Sequence, residues 1–155
     1  MNGVPEQPRI VVGVDLSPAS VAALRWAARE AELRGARLQV VRACERAGRW
    51  VAPYVSHSHH PTADEDRAGA AARLAEAVRT VLGPAPSITV TVEVAEGLAA
   101  RVLLDRAAAA EVLVLGGAAG AAQDMIGPVE RACLYHPPCP VVVVSTSSTG
   151  IPVPA

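Results

Sequence analysis

The chain contains no lysine, and all 14 of its basic residues are arginine. A Walker A phosphate loop, a Schiff-base enzyme and a protein kinase each depend on a lysine. Arginine does not replace that lysine as a titrating nucleophile, because the guanidinium stays protonated. The sequence therefore excludes these three classes of lysine-dependent site.

Aromatic residues are also scarce, at 3% of 155 residues, and there is no phenylalanine. Since 51% of the residues are apolar, the core must consist of valine, leucine and alanine. A chain of this length is most simply one domain, able to bury about two-thirds of its unfolded surface. We expect the domain to span residues 9–145, with flexible ends at residues 1–8 and 146–155.

Charge and cysteine content restrict the partners and the compartment. The net charge is −1, so we expect neither nucleic acid nor a membrane surface as a partner. No apolar run reaches the ~18 residues of a membrane span, and no N-terminal apolar segment indicates a signal peptide. Cys44, Cys133 and Cys139 are an odd number without metal-ligand spacing, which predicts reduced thiols in a cytoplasmic protein.

Apolar runs and turn residues alternate along the chain in the order strand, helix, strand. Residues 88–95 alternate apolar and polar side chains, which is typical of an edge strand with one buried face and one face in water. The third helix is predicted over residues 98–109. Apolar runs predict a buried strand at residues 9–15 and further strands at residues 36–43, 112–115 and 141–144.

Helix boundaries and faces can also be predicted. Ser17 is expected to cap the first helix, with Pro18 at its first position and Gly35 at its end. Thr62 and Glu65 are expected to form a capping box at the second helix. The face of the first helix that we expect to be buried comprises Val21, Leu24, Ala28 and Ala31.

Five strands alternating with four helices predict an open, doubly wound α/β fold with a parallel sheet and helices on both faces. The edge character of the third strand predicts the strand order 3-2-1-4-5, with a switch point between strands one and four. Asp15 follows strand one, and Gly116 and Gly117 follow strand four. Both features are therefore expected at one crevice.

The stretch from residue 111 to residue 144 reads as a strand, a glycine loop, a helix start and a strand, the parts of a phosphate-holding unit. Its glycines either contact a nucleotide or supply positive φ in a tight connection. Asp15 is open to two interpretations, as a ligand of ribose or adenine and as a strand-end carboxylate beside the Ser17 cap. The glycines are Gly116, Gly117, Gly120 and Gly127.

An ordered set of short motifs resembles the universal stress protein family over residues 9–145. The set comprises V-V-G-V-D-x-S at residues 11–17, Trp26–Ala27 in the first helix, Glu96–Gly97, and residues 127–143 ending in P-C-P-V-V-V. The resemblance implies a cytoplasmic homodimer linked to survival under starvation, hypoxia or oxidative stress. Some members of the family bind ATP and others do not.

The resemblance also implies positions for a nucleotide. In ATP-binding members the acidic residue that ends strand one, here Asp15, lies by the adenosine, and the end of strand two, here Ala43, offers its backbone to adenine. The phosphates lie on a loop of pattern G-x2-G-x9-G-[ST]. The matching positions here, with the residue that follows them, are Gly116 or Gly117, Gly120, Gly127, Pro128 and Val129.

The chain departs from that pattern in two ways. Only six residues separate Gly120 from Gly127, and Pro128 stands in place of Ser or Thr, so a hydroxyl and an N–H are both lost. We therefore expect a non-enzymatic stress-response protein with no cofactor, in which ATP or another adenine nucleotide binds weakly or not at all. The alternative is an ATP-binding member that uses the Gly116–Gly127 loop as a switch or as a slow ATP hydrolase, with arginine or Mg²⁺ carrying phosphate charge.

The last strand gives a further expectation. Val141–Val144 would be an unprotected apolar edge in a monomer, so we expect a homodimer through this edge across a two-fold axis. We expect no catalytic residues and no metal site. His57, His59 and His60 lack the spacing of a structural zinc site, although Cys44 lies near them in the sequence.

Overall fold

The structure is a computed structural model, and it describes residues 5–45, 63–117 and 126–146. Thr62 and the three histidines His57, His59 and His60 lie outside the described residues. The elements are β1 (Arg9–Gly13), α1 (Pro18–Arg34), β2 (Arg37–Cys44), α2 (Ala63–Leu82), β3 (Val90–Glu96), α3 (Ala99–Ala107), β4 (Val112–Gly116), α4 (Pro128–Tyr135) and β5 (Val141–Val144).

The five strands form one parallel sheet in the order β3-β2-β1-β4-β5, which confirms the predicted topology. β1 pairs with β2 on one side, from Arg9 opposite Arg37 to Gly13 opposite Val41. It pairs with β4 on the other side, where Val12 lies opposite Val114. From β1 the chain adds β2 and β3 toward one edge of the sheet, and it then crosses back to add β4 and β5 toward the other edge. The switch point therefore lies between β1 and β4.

Helices cover both faces of the sheet, as a doubly wound fold requires. On one face, α1 and α2 enclose a cluster that includes Ile10, Leu24, Leu38 and Leu74. On the other face, a second cluster joins strand residues to Leu103 of α3 and Cys133 of α4. Among the described residues, every helix is too short or too polar to span a lipid bilayer.

The start and the end of α1 follow the prediction, and its buried face follows the prediction in part. Ser17 Oγ accepts a hydrogen bond from the Ser20 N–H at 3.2 Å, and Gly35 ends the helix with φ at 62°. Leu24 and Ala31 are buried as predicted, whereas Val21 and Ala28 are only half-buried. Small side chains form the true contact because they let the helix backbone lie close to the sheet. The buried residues of α1 are Ala19, Ser20, Ala23, Leu24, Ala27 and Ala31.

β3 lies at the edge of the sheet, but its two faces differ from the prediction. Val92, on the face expected to be buried, is 38% exposed. Glu93, on the face expected to be in water, is half-buried against α3. Its Oε2 accepts hydrogen bonds from Arg106 Nε at 2.9 Å and from Gln39 Nε2 at 2.9 Å. The alternation of the sequence does not reveal that Arg106 of α3 pairs with Glu93 on the polar face.

The third helix and the third strand also have slightly different bounds from those predicted. α3 runs from Ala99 to Ala107, with Leu98 as its N-cap, and is shorter than the predicted 98–109. β3 begins two residues later than predicted, at Val90, and ends at Glu96. Neither shift moves a residue of the predicted crevice.

The ion pair of Glu93 and Arg106 gives a prediction on pH dependence. Hydrogen bonding from Arg106 lowers the pKa of Glu93 from its ordinary value of 4.5. Because the folded-state pKa lies below the unfolded one, the stabilisation is present above 4.5 and is lost as the pH falls through the folded-state pKa. We expect Glu93→Gln to lower the free energy of unfolding at neutral pH by no more than about 1 kcal/mol, since the pair is part-exposed.

Urea unfolding of the wild type and of Glu93→Gln measures this contribution, and their difference should shrink as the pH is lowered from about 5 toward about 3. Glu76→Gln is the matched control, because Glu76 pairs with Arg79 on an exposed helix surface. We expect no measurable change from that control at either pH. A difference between wild type and Glu93→Gln that grows on acidification would contradict the assignment.

Candidate functional site

A cleft of ≈ 380 Å³ opens at the carboxyl ends of β1 and β4, where the switch point of the sheet lies. Its walls come from the ends of β1, β2 and β4 and from the N-termini of α1, α3 and α4. Gly120 lies outside the described residues. The other predicted site residues all line this cleft, namely Asp15, Ala43, Gly116, Gly117, Gly127, Pro128 and Val129.

Asp15 is held at the end of β1 by the residues that begin α1. The Ser17 N–H donates to Asp15 Oδ1 at 2.9 Å. Partial burial raises the pKa of Asp15, but hydrogen bonding by Ser17 and Ser20 outweighs it and keeps the pKa below the ordinary value of 3.8. The side chain is therefore an ionised acceptor, suited to hydroxyl groups of a ligand.

Leu16 fixes the turn that presents Asp15. Its φ is 69°, and it is the one residue other than glycine with positive φ in the described ranges. This conformation costs an ordinary side chain about 1 kcal/mol. The Leu16 side chain packs on the cluster under α1 and α2, which offsets that cost. A leucine in this conformation could not be recognised from the sequence.

Gly116 is required by packing and not by backbone conformation. A Cβ on Gly116 would lie 2.5 Å from both Ala19 C and Ser20 N, which belong to the backbone of α1. Gly117 has room, because a Cβ there would be 3.5 Å from its nearest neighbour. The described glycines with positive φ are Gly35, Gly83 and Gly97. The interpretation that the loop glycines supply positive φ is therefore wrong for Gly116, Gly117 and Gly127.

The start of α4 forms the end of the cleft where the family motif would place phosphates. Gly127 is the N-cap residue, and Pro128 is the first residue of the helix, so the first helical position has no N–H to donate. The Glu130 carboxylate folds back against Gly127, where a Cβ would overlap its Oε2. This end of the cleft therefore holds a carboxylate in place of hydroxyl donors.

Glu130 is a residue that the sequence reasoning missed. It lines the cleft and occupies the third position of α4, where an acidic residue commonly reaches back toward the N-cap. The signal was present in the sequence, since Gly-Pro followed by an acidic residue two positions on is typical of a helix start.

The charges around the cleft are unevenly distributed. Among the described lining residues, Asp15 and Glu130 carry negative charge and Arg42 carries positive charge. Arg42 lies on β2, two strands away from β4, and its Nη1 is buried without a hydrogen-bond partner. The cleft is thus anionic at α4, and its one described cation lies at the opposite side.

The described residues contain no candidate metal-binding group, and two of the three cysteine thiols have a raised pKa. No group of three or more His, Cys, Asp or Glu residues in the described ranges could hold a metal ion. Burial raises the pKa of the Cys133 thiol, and the negative charge of Glu130 raises it further. Burial also raises the pKa of Cys139. Both thiols are therefore held in the protonated, less reactive form.

Comparison with known proteins agrees with this fold. The model of the universal stress protein family matches residues 8–145. A universal stress protein of Mycobacterium tuberculosis is 32% identical over 157 aligned positions, which cover 94% of this chain and 50% of that protein. One from Mycolicibacterium smegmatis is 32% identical over 139 positions, covering 87% of this chain and 47% of that protein. The chain spans about half the length of these curated relatives.

Solved structures of similar proteins have the same fold. A universal stress protein of Archaeoglobus fulgidus is 26% identical with a TM-score of 0.65, covering 88% of this chain and 93% of that one. A structure of the A. fulgidus protein in complex with dAMP is 25% identical with a TM-score of 0.61, covering 89% and 97%. A Lactobacillus plantarum protein has a TM-score of 0.67 at 20% identity, covering 88% and 97%.

Proposed function

Because the chain belongs to the universal stress protein family, we propose that it is a non-enzymatic, cytoplasmic stress-response protein that acts as a homodimer. In this proposal its cleft binds adenine nucleotides weakly or not at all and needs no cofactor. The observation that carries the proposal is the position of Pro128, which begins α4 at the phosphate end of the cleft.

The two ends of the cleft differ in their fitness for a nucleotide. Asp15 and the end of β2 at Ala43 line the end expected to hold adenosine. A universal stress protein of A. fulgidus has been solved in complex with dAMP, which supports an adenine-containing ligand for a protein of this fold. At the other end, Pro128 offers neither the hydroxyl nor the N–H of the Ser or Thr in the family motif. Losing two charge-assisted hydrogen bonds of roughly 1.5–3 kcal/mol each raises Kd about a hundredfold or more.

The distribution of charge also argues against a slow ATP hydrolase. Phosphoryl transfer needs a cation or a metal where negative charge develops. Arg42 is the one cation among the described lining residues, and β2 is separated by β1 from the β4 end of the cleft. The residue at the phosphate end is instead Glu130, whose carboxylate repels a phosphate that carries no bound cation.

Replacing Pro128 by serine tests the role of this position. We expect the Kd for Mg-ATP to fall about tenfold, because a hydroxyl and an N–H return while the short loop and Glu130 remain. A thermal-shift panel of nucleotides with and without Mg²⁺, followed by calorimetry, measures the change. Pro137→Ser is the matched control, since Pro137 is exposed beyond the other end of α4. An unchanged Kd in Pro128→Ser would contradict the role of Pro128.

The homodimer is proposed to form through β5. This strand lies at the edge of the sheet, with β4 as its neighbour. Its Val143 side chain is 42% exposed, and α4 beside it exposes Leu134 and Tyr135. An apolar edge strand of this kind is stabilised by pairing with a second copy of itself.

A further inference from the structure

We propose that Glu130 makes the cleft select an uncharged adenine nucleoside over the corresponding 5′-phosphates. The inference rests on the proposed function in one respect, which is that the cleft accepts an adenosine moiety. It goes further in naming the charge of the ligand and the residue that determines it. Glu130 is a specificity-determining residue in this proposal, with no part in a reaction.

The position of the Glu130 carboxylate carries the proposal. Glu130 is the third residue of α4, and its side chain turns back toward the N-terminus of the helix. Its carboxyl carbon lies 3.1 Å and its Oε1 3.4 Å from the point that a Cβ of Gly127 would occupy. The carboxylate therefore lies at the N-terminus of α4, beside the cleft that Gly127 and Glu130 both line.

The N-terminus of a helix favours an anion because its free N–H groups carry partial positive charge. In α4, that anion is supplied by the chain itself as the Glu130 carboxylate. A ligand phosphate entering the same region would meet a like charge and would have to displace it. Pro128 has already removed the N–H of the first helical position, so fewer donors remain to offset the repulsion.

The other described lining residues do not compensate. Asp15 adds a second carboxylate at the end of β1, and Arg42 lies on β2 rather than beside α4. A neutral 5′-hydroxyl experiences none of this repulsion and can donate a hydrogen bond to a carboxylate. A nucleoside therefore meets no charge repulsion from Glu130, whereas its 5′-phosphate does.

Calorimetric titration of adenosine and AMP into the full chain tests the proposal. We expect the wild type to bind adenosine about tenfold or more tighter than AMP. Glu130→Gln should lower the Kd for AMP about tenfold and change the Kd for adenosine by no more than about twofold, since the substitution removes only the charge. Raising the salt from about 0.05 M to about 1 M should reduce the difference between adenosine and AMP in the wild type.

Glu76→Gln is the control, because it changes the net charge equally at an exposed position on α2. It should alter neither Kd. Glu130→Ser is a second variant that removes the charge with a smaller side chain, and circular dichroism verifies that each variant is folded. If Glu130 only stabilised the helix, its replacement would change the Kd for adenosine and the Kd for AMP by the same factor. The ratio of the two Kd values therefore distinguishes the two roles.

Several outcomes would overturn the proposal. One is a wild type that binds AMP as tightly as adenosine, and another is an AMP-to-adenosine ratio that neither Glu130 variant changes. If neither adenosine nor AMP binds any variant, this inference fails while the proposal of weak or absent nucleotide binding stands. A low-micromolar Kd of the wild type for Mg-ATP would instead overturn the proposed function itself.

Discussion

Gly116→Ala is expected to lower the free energy of unfolding by about 3 kcal/mol, the upper range for an overpacked site. The added Cβ would lie 2.5 Å from Ala19 C and Ser20 N. Both atoms belong to the backbone of α1, so no side-chain rotation relieves the overlap. The helix would have to move away from β4, and the small residues that pack α1 on the sheet would lose contact.

Gly117→Ala is the matched control, one residue further along the chain. A Cβ on Gly117 would be 3.5 Å from Val143 Cγ1, an ordinary contact, and its φ is not positive. We expect a change in the free energy of unfolding within about 0.5 kcal/mol, as at other unstrained positions. Denaturant unfolding of both variants measures this contrast. Equal stability of the two would show that Gly116 is not needed for the approach of α1.

Val143→Pro is expected to weaken the proposed homodimer about a hundredfold while leaving the monomer folded. Leu113 N–H donates to Pro140 O at 3.0 Å, and Gly117 N–H donates to Val144 O at 2.8 Å. Because backbone groups alternate along a strand, Val142 also faces β4, and Val143 presents its N–H to the free edge. Proline at Val143 removes a donor from the dimer edge without breaking the pairing with β4.

Light scattering across a concentration series measures the monomer–dimer equilibrium. Val143→Ala is the control, since it shortens the side chain and keeps the edge N–H, and it should weaken the dimer less than the proline variant. A wild type that is monomeric at tens of micromolar would contradict the dimer proposal. A dimer that is unaffected by Val143→Pro would show that copies associate through another surface.

Much of the topology could be predicted from the sequence because strand character is local. Four consecutive valines at Val141–Val144 favour an extended backbone, and the alternation at residues 88–95 indicates an edge. Asp15 and Gly116 end two strands whose carboxyl ends meet, so their convergence follows from the order of the sheet. These inferences need only the chain direction and the rules of parallel sheets.

The remaining features depend on how elements pack against each other. The need for glycine at position 116 comes from α1, whose residues are about a hundred positions away in the chain. The half-buried state of Glu93 comes from Arg106 on α3, and the exposure of Val92 comes from incomplete cover of an edge strand. The path of the Glu130 side chain back over Gly127 likewise depends on a rotamer that the sequence does not specify.

The affinity of the wild type for Mg-ATP, measured by isothermal calorimetry, tests the central claim most directly. The claim is that the universal stress protein fold is retained here while the phosphate end of its cleft is unsuited to a nucleotide. With Pro128 at the start of α4 and Glu130 beside it, the expected result is a near-millimolar Kd or no detectable heat of binding. A low-micromolar Kd with one nucleotide bound per chain would contradict the claim.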